Sequence, residues 1–287
     1  MTNTVMSNEP IIDVRDVSFR YDGSKVNVLD HVSLTIHRGD FIALIGQNGA
    51  GKTTLAKTFN GLFRPTAGDL LVGGQNTRAA GLSRLARLVG YVYQNPDHQI
   101  FARSVRDEVA FGPRNLGLSA TEVNASVDHA LELVEMTHEA DSYPFVLGRG
   151  QRQKLAVASV IAMGSPVMVV DEPTTGLDLR GALNIMNLLR RWNASGRTVI
   201  VITHDMEIVA EYATRCIVMV KGKVVADGNT RSVLTDEAVL TKAHLALPRI
   251  TKIAQMIDSR HNFPTDVLTV QEFRTALAER LATHRRV

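Results

Sequence analysis

Gly46-Gln47-Asn48-Gly49-Ala50-Gly51-Lys52-Thr53 follows directly on the apolar run Phe41-Ile42-Ala43-Leu44-Ile45. It is a complete G-x-x-x-x-G-K-T sequence, and a strand before it with a helix after it is the context in which that pattern wraps a phosphate. Glycines at 46, 49 and 51 let the backbone bend until its N–H groups surround an anion, and the helix expected from about Thr53 aims its positive end at the same point. Lys52 then reaches β- and γ-phosphates. Thr53 offers a hydroxyl to Mg²⁺, and Thr54 can bond an α-phosphate oxygen. A glycine-rich turn that binds nothing is the bland alternative, and the completeness of the match in this context speaks against it.

The rest of the composition sets bounds. With 287 residues, 45% of them hydrophobic, the chain can bury one large domain with an appendage or two small domains. Cys216 is the single cysteine, which rules out an internal disulfide and suits a reducing compartment. Residues 1–10 are polar, without the basic cluster and apolar stretch of a secretory signal, and are expected to fray. The apolar runs at 167–170 and 199–202 fall far short of the roughly 20 residues a membrane-spanning helix needs, so the chain is not expected to cross a bilayer. Its net charge is +3, from 32 basic and 29 acidic residues, with no dense Lys/Arg block, and no nucleic-acid partner is expected. The basic ending, 283–287, reads as a solvated terminus.

Working outward from the loop, Ile12, Val14, Val17 and Phe19, then Val32, Leu34 and Ile36, alternate with polar residues. They predict antiparallel strands leading into the phosphate-loop strand. A turn at 64–68 precedes a short strand at 70–72, and another strand at 89–93 precedes the polar run 94–99. From about 96 to 164 the signal is helical, with Ser119 and Glu122 forming a capping box ahead of Val123, Val127, Ala130, Leu131 and Val134 on one helix side. Strands return at 167–170, 199–202 and 217–220, so a helical segment is inserted into an α/β core. Beyond 230 come helices around 233–247, 250–257 and 270–281, punctuated by Pro248 and Pro264, with Thr269 and Glu272 as a second capping box. Residues 231–287 are therefore expected to form a small helical appendage, a candidate dimerisation region.

Asp171 and Glu172 end the apolar run 167–170, which places two carboxylates at the carboxyl edge of a parallel sheet, where ligands of α/β folds sit. Asp171 suits Mg²⁺, directly or through water. Glu172 suits a general base that orients and deprotonates the water attacking a γ-phosphate. An acidic pair at a strand end can equally cap the next helix, and it is the phosphate loop that decides for chemistry. His204 follows the strand 198–203 and can hydrogen-bond a γ-phosphate; alone it would serve as well as a helix-start or packing residue beside Asp205.

With Gln94, the segment Leu147-Gly148-Arg149-Gly150-Gln151 and Gly176-Leu177-Asp178, these pieces stand in the order found in ATP-binding cassette (ABC) ATPases, which residues 11–230 resemble. The resemblance implies an α/β phosphate-loop NTPase with an antiparallel β subdomain, a helical subdomain inserted at about 96–164 and a small C-terminal helical appendage. It implies that Tyr21 stacks on adenine, that Gln94 senses Mg²⁺ and the γ-phosphate, that Asp178 communicates across a dimer, and that His204 is the switch histidine. Tyr21 read alone is equally a core or edge-strand aromatic. In the family the signature reads Leu-Ser-Gly-Gly-Gln and faces ATP held by the opposing subunit. Here Gly148 replaces the serine and Arg149 a glycine, so the hydroxyl is missing while Gly150, Gln151, the N-terminus of the helix at 151–163 and the Arg149 charge remain to substitute.

Residues 93–101 and 109–117 resemble the ATPase subunits of energy-coupling factor importers, the group that includes cobalt and nickel uptake ATPases, and 247–254 and 263–269 are similar to that group's tail. The resemblance implies ATP hydrolysis with Mg²⁺ at the cytoplasmic face of the cell membrane. It also implies a second ABC ATPase subunit, an integral membrane transport subunit and a substrate-binding membrane subunit as partners, with Ile100, Phe101, Val109 and Phe111 offering an apolar contact. Two rivals remain: a soluble ABC ATPase of DNA repair or translation, against which the lack of a coiled-coil insertion and of a basic surface count, and a phosphoryl transferase acting on small molecules, which leaves Gln94 and Asp178 unexplained.

Overall fold

A computed structural model of the chain describes residues 10–261 and 263–284. Of the stretches expected to fray or to be solvated, 1–9 and 285–287 lie outside the described residues, whereas Pro10 pairs with His37 in a strand and Thr283 and His284 belong to the last helix.

β1 (Pro10–Phe19), β2 (Leu29–His37), β4 (Ala67–Val72) and β5 (Gln75–Asn76) form an antiparallel sheet in the order β2-β1-β4-β5. The first strands therefore do not extend the sheet of the phosphate-loop strand. That strand, β3 (Phe41–Ile45), sits in a second sheet with β6 (Val89–Val92), β7 (Val167–Asp171), β8 (Thr198–Ile202), β9 (Arg215–Val220) and β10 (Lys223–Asn229), in the order β10-β9-β3-β8-β7-β6. The five strands β9 to β6 run parallel, and β10 closes one edge antiparallel.

The continuous apolar runs follow from burial of both faces of this second sheet. Side chains alternate across a strand, so Ile42, Leu44, Val167, Val169, Ile200 and Ile202 face the antiparallel sheet, packing with Ile12, Val14, Val17, Leu34 and Ile36. Helix α1 (Lys52–Phe59) adds Leu55, Ala56 and Phe59 to that layer, and α2 (Leu82–Ala86) adds Leu85. The intervening Met168, Val170, Val199 and Val201 face a second core. α3 (Val105–Asn115), α4 (Ala120–Leu133), α5 (Arg149–Ala162) and α6 (Leu179–Ala194) bury their apolar stripes there, which is what the 3.6-residue spacing of Val123, Val127, Ala130 and Leu131 requires. Ser119 and Glu122 make both bonds of the capping box that starts α4.

Beyond 230 the helical run 233–247 is broken in two. α8 (Thr230–Leu234) ends before Asp236, whose carboxylate caps α9 (Glu237–Ala243) by accepting from the Ala238 and Val239 N–H groups. α10 (Arg249–His261) and α11 (Val270–His284) follow, and Glu272 reaches the Leu268 N–H at 2.8 Å while Thr269 accepts from the Glu272 N–H at 3.2 Å. α8 and α9 pack with β9 and with α7 (Met206–Tyr212) around Cys216, Val218, Met206 and Leu234. Arg249 bonds Glu207 of α7 at 2.9 Å, and Arg231 bonds Glu272, so both later helices are tied back to the body.

Candidate functional site

The turn from β3 to α1 is possible only because of glycine. At Gly46 φ is +147°, and a Cβ there would lie 2.2 Å from the Met219 carbonyl oxygen of β9. No side chain caps α1, whose N-cap is Gly51, so the first-turn N–H groups face the cavity beside the loop. This cavity of about 420 Å³ is lined by Tyr21, Asn48, Gly49, Ala50, Gly51, Lys52, Thr53, Thr54, Gln94, Asp171 and Glu172. Strands β3, β6 and β7 are neighbours or near neighbours in one parallel sheet, which is why residues far apart in sequence meet at its carboxyl edge.

Lys52 is buried, and its Nζ donates to the carbonyls of Gly46 at 2.7 Å and Gln47 at 3.0 Å. Burial lowers its ammonium pKa, and the charges of Glu172 and Asp171 offset part of that. Thr53 Oγ1 donates to Asp171 Oδ2 at 2.9 Å. Two oxygens bound side by side to an octahedral Mg²⁺ at about 2.0–2.1 Å lie about 2.9 Å apart, so this pair already has the spacing of two metal ligands. Tyr91 donates its hydroxyl to the same Oδ2 at 2.8 Å. Burial, and then the Asp171 charge, raise the Tyr91 pKa well above its ordinary value, which keeps it a donor.

Glu172 is buried and adopts φ 47°, a left-handed conformation that costs a non-glycine residue roughly 1–2 kcal/mol. Its N–H bonds the Ile202 carbonyl at 2.8 Å, and its Oε1 pairs with His204 Nδ1 at 2.8 Å. Asp205 caps α7, so the expected helix-start cap forms while the neighbouring His204 reaches the glutamate. Tyr21 stands at the rim, its hydroxyl 3.1 Å from Thr54 Oγ1 and its ring edge-on to Phe19 and Phe63.

Gly148, Arg149, Gly150, Gln151 and Asp178 are not brought to this cavity. Gly150, Gln151 and Asp178 line a separate cavity at the N-termini of α5 and α6. Gly148 caps α5, which begins at Arg149, two residues earlier than the 151–163 spacing predicts, and the Gln151 side chain accepts from the Gly148 N–H at 3.1 Å. Asp178 caps α6 by accepting from the Gly181 N–H at 2.8 Å.

Ile100 and Val109 are core residues, whereas Phe101 and Phe111 are 61% and 48% exposed, edge-to-face at 4.6 Å. They border an apolar groove of about 320 Å³ whose walls include Leu62, Leu82, Tyr91, Tyr93 and Met163. Tyr91 thus borders the groove and holds Asp171 with its hydroxyl, a role missed in the sequence. The available signal is a tyrosine in a strand whose other core-facing residues are aliphatic, because a buried hydroxyl needs a partner.

A phosphate loop, a strand-end carboxylate pair, a histidine on the second carboxylate and a distant signature helix on a two-layer α/β body define an ATP-binding cassette ATPase. The family described as "ABC transporter" matches residues 29–175, and the chain belongs to it. Among named relatives, the energy-coupling factor transporter ATP-binding protein EcfA of Methanocaldococcus jannaschii is 40% identical over 259 residues, covering 89% of this chain and 92% of that protein. A putative ABC transporter ATP-binding protein of Caldanaerobacter subterraneus is 46% identical over 248 residues, and that match takes in only 43% of the relative's length. Of solved structures, cbiO1 from Clostridium perfringens, described as part of the ABC transporter complex cbiONQ, superposes with a TM-score of 0.74 at 35% identity, covering 86% of this chain and 99% of that one. A dimeric ATP-binding cassette in a post-hydrolysis state bound to ADP and Pi gives 0.68 at 26% identity, covering 76% and 98%.

Proposed function

We propose that this chain is the ATP-hydrolysing subunit of an energy-coupling factor importer, working as a homo- or heterodimer at the cytoplasmic face of a membrane. The observation that carries the reading is the convergence of Lys52, Thr53, Asp171 and Glu172, with His204 bonded to Glu172, at one sheet edge, together with the likeness to EcfA across nearly all of both chains.

In this reading the loop N–H groups and Lys52 hold the β- and γ-phosphates of ATP, Thr54 bonds an α-phosphate oxygen, and Tyr21 at the rim stacks on adenine. Thr53, Asp171 and Gln94 hold Mg²⁺, which when bound neutralises phosphate charge. Glu172 takes a proton from the attacking water, and His204, bonded to Glu172, orients it and contacts the γ-phosphate. The signature Gly148-Arg149-Gly150-Gln151 and Asp178 lie outside this cavity because they serve the nucleotide of the opposing subunit. ATP bridges the two chains and hydrolysis releases them, a differential binding that can drive a partner between two states. No helix among the described residues is long and apolar enough to span a membrane, so transport needs integral subunits, one conducting and one selecting a vitamin or metal ion. The groove beside Phe101 and Phe111 is their docking place.

Lys52→Ala tests the enzyme, with hydrolysis abolished and the fold kept; near-normal turnover would refute the site. Mass spectrometry of proteins co-purifying from membranes tests the importer, which is refuted if no integral membrane protein is enriched.

A further inference from the structure

Arg149 opens α5 beside the loop that joins β7 to α6, and the two segments touch within one chain. Gly176 in that loop has φ +75°, and a Cβ built on it would lie 2.8 Å from Arg149 Nε and 2.9 Å from Cζ. The flat guanidinium therefore rests on the one residue type that leaves room for it. A Cβ built on neighbouring Gly150 would come within 3.9 Å of Leu177 Cδ2, so the same two segments also lie close there. The Arg149 side chain makes no hydrogen bond or ion pair with any described residue and is exposed overall, so its approach to the loop is the contact the structure gives it.

The loop leads straight back to the hydrolytic carboxylate. Thr175 Oγ1 donates to Glu172 Oε2 at 3.3 Å, the Thr175 N–H bonds the Glu172 carbonyl at 3.3 Å, and Asp178 anchors the far end on α6. Contacts thus run without a break from α5 through Gly176 and Thr175 to Glu172. An arginine that merely replaced a missing hydroxyl by its charge would project clear of its own chain; this one lies along it.

We propose that Arg149 is a positioning residue: it couples the signature segment, which reads the nucleotide of the opposing subunit, to the loop behind Glu172 at its own nucleotide. The inference rests on the dimeric ATPase reading above. One prediction separates it from a purely electrostatic role. Lysine keeps the charge and loses the flat contact, so Arg149→Lys should behave as Arg149→Ala does.

The test uses the full chain, steady-state ATP hydrolysis with Mg²⁺, and hydrogen exchange of residues 173–178. Arg149→Ala is expected to lower kcat about tenfold, the scale of a displaced catalytic group, with KM within about twofold. The dependence of rate on ATP is expected to lose its cooperativity, the Hill coefficient falling to about 1. Exchange in the loop should rise. Gly176→Ala should be impaired with Arg149 in place and partly recover in the Arg149→Ala/Gly176→Ala double variant, since removing the guanidinium frees the space the methyl needs. Full activity in Arg149→Lys, additive effects in the double variant, or loop exchange unchanged in Arg149→Ala would each overturn the proposal. A wild-type chain without ATPase activity would instead overturn the functional reading, while the exchange comparison still decides the contact.

Discussion

Tyr91→Phe is the most informative single substitution at the nucleotide cavity. The ring stays in place and only the oxygen is lost, so no cavity beyond one atom forms. What disappears is one of the two donors, at 2.8 Å, on Asp171 Oδ2; Thr53 at 2.9 Å remains. A hydrogen bond to a charged group is worth about 1.5–3 kcal/mol, and both partners here are buried, so about 2 kcal/mol of stability should go. At about 2.1 cal/mol/K of unfolding entropy per residue, that corresponds to a fall of roughly 3 °C in Tm for a chain this long. The second effect is on the proposed role of Asp171 at Mg²⁺: a carboxylate no longer held in orientation should bind the ion about 10-fold more weakly, the low end for loss of an outer partner of a metal ligand. Thermal unfolding of the isolated chain reads the first quantity, and the Mg²⁺ concentration giving half-maximal hydrolysis at saturating ATP reads the second. A Tm shift under about 1 °C together with an unchanged Mg²⁺ requirement would refute the reasoning, because it would mean that the bond contributes nothing net.

Glu172→Gln keeps the shape and removes the base, so hydrolysis should fall by about 10²–10⁴-fold while ATP binding persists and a dimer accumulates on size exclusion with ATP; normal turnover would take Glu172 out of the role. Phe101→Asp should leave folding and ATP binding intact, since the side chain is already exposed, but weaken association with the membrane subunit in a pull-down; an intact complex would refute docking at the groove. Acid should loosen the appendage first. At Glu272 burial raises the carboxyl pKa, but bonds from the Leu268 N–H, Arg231 and the Thr269 region outweigh it and hold the value below the ordinary one. Its contribution is thus complete above the unfolded value of about 4.3 and fades as pH drops through the lower folded value. Amides of α11 should therefore lose exchange protection in that window before those of β3 and β7, and protection independent of pH would contradict this.

The groups found in the sequence are those whose function is written locally. Gly46 to Thr54 carry their own strand, turn and helix start, and Ser119 with Glu122 announces α4 within four residues. Asp236 carried an equally local signal, an N-cap inside the helical run 233–247, and the periodicity of the flanking apolar residues masked it. The partners of Tyr91 and Arg149, Asp171 and Gly176, are not legible in the sequence, because each depends on an adjacency set by tertiary packing: β6 beside β7 in one case, α5 against the β7–α6 loop in the other. Phe101 and Ile100 are neighbours of like hydrophobicity, and only the packing of α3 and α5 decides that one faces outward and the other inward.

The alternating sides of the parallel sheet have a consequence for how such a chain can change over time. Each strand serves two cores with every other residue, so a one-residue insertion or deletion inside β7 or β8 would exchange the tenants of both layers at once, aliphatic groups fitted to α1 on one side and to α5 and α6 on the other. The wall is shared, and neither room can be rebuilt alone. Length variation is tolerable at the opposite, amino edge, in the connections 163–166 and 195–197, because the carboxyl-edge segments hold Glu172, Thr175 and His204 at fixed spacing. Lineages descending from this architecture should therefore keep their strand lengths and their carboxyl-edge loops fixed, so that novelty in length collects at the far edge of the sheet, away from the nucleotide.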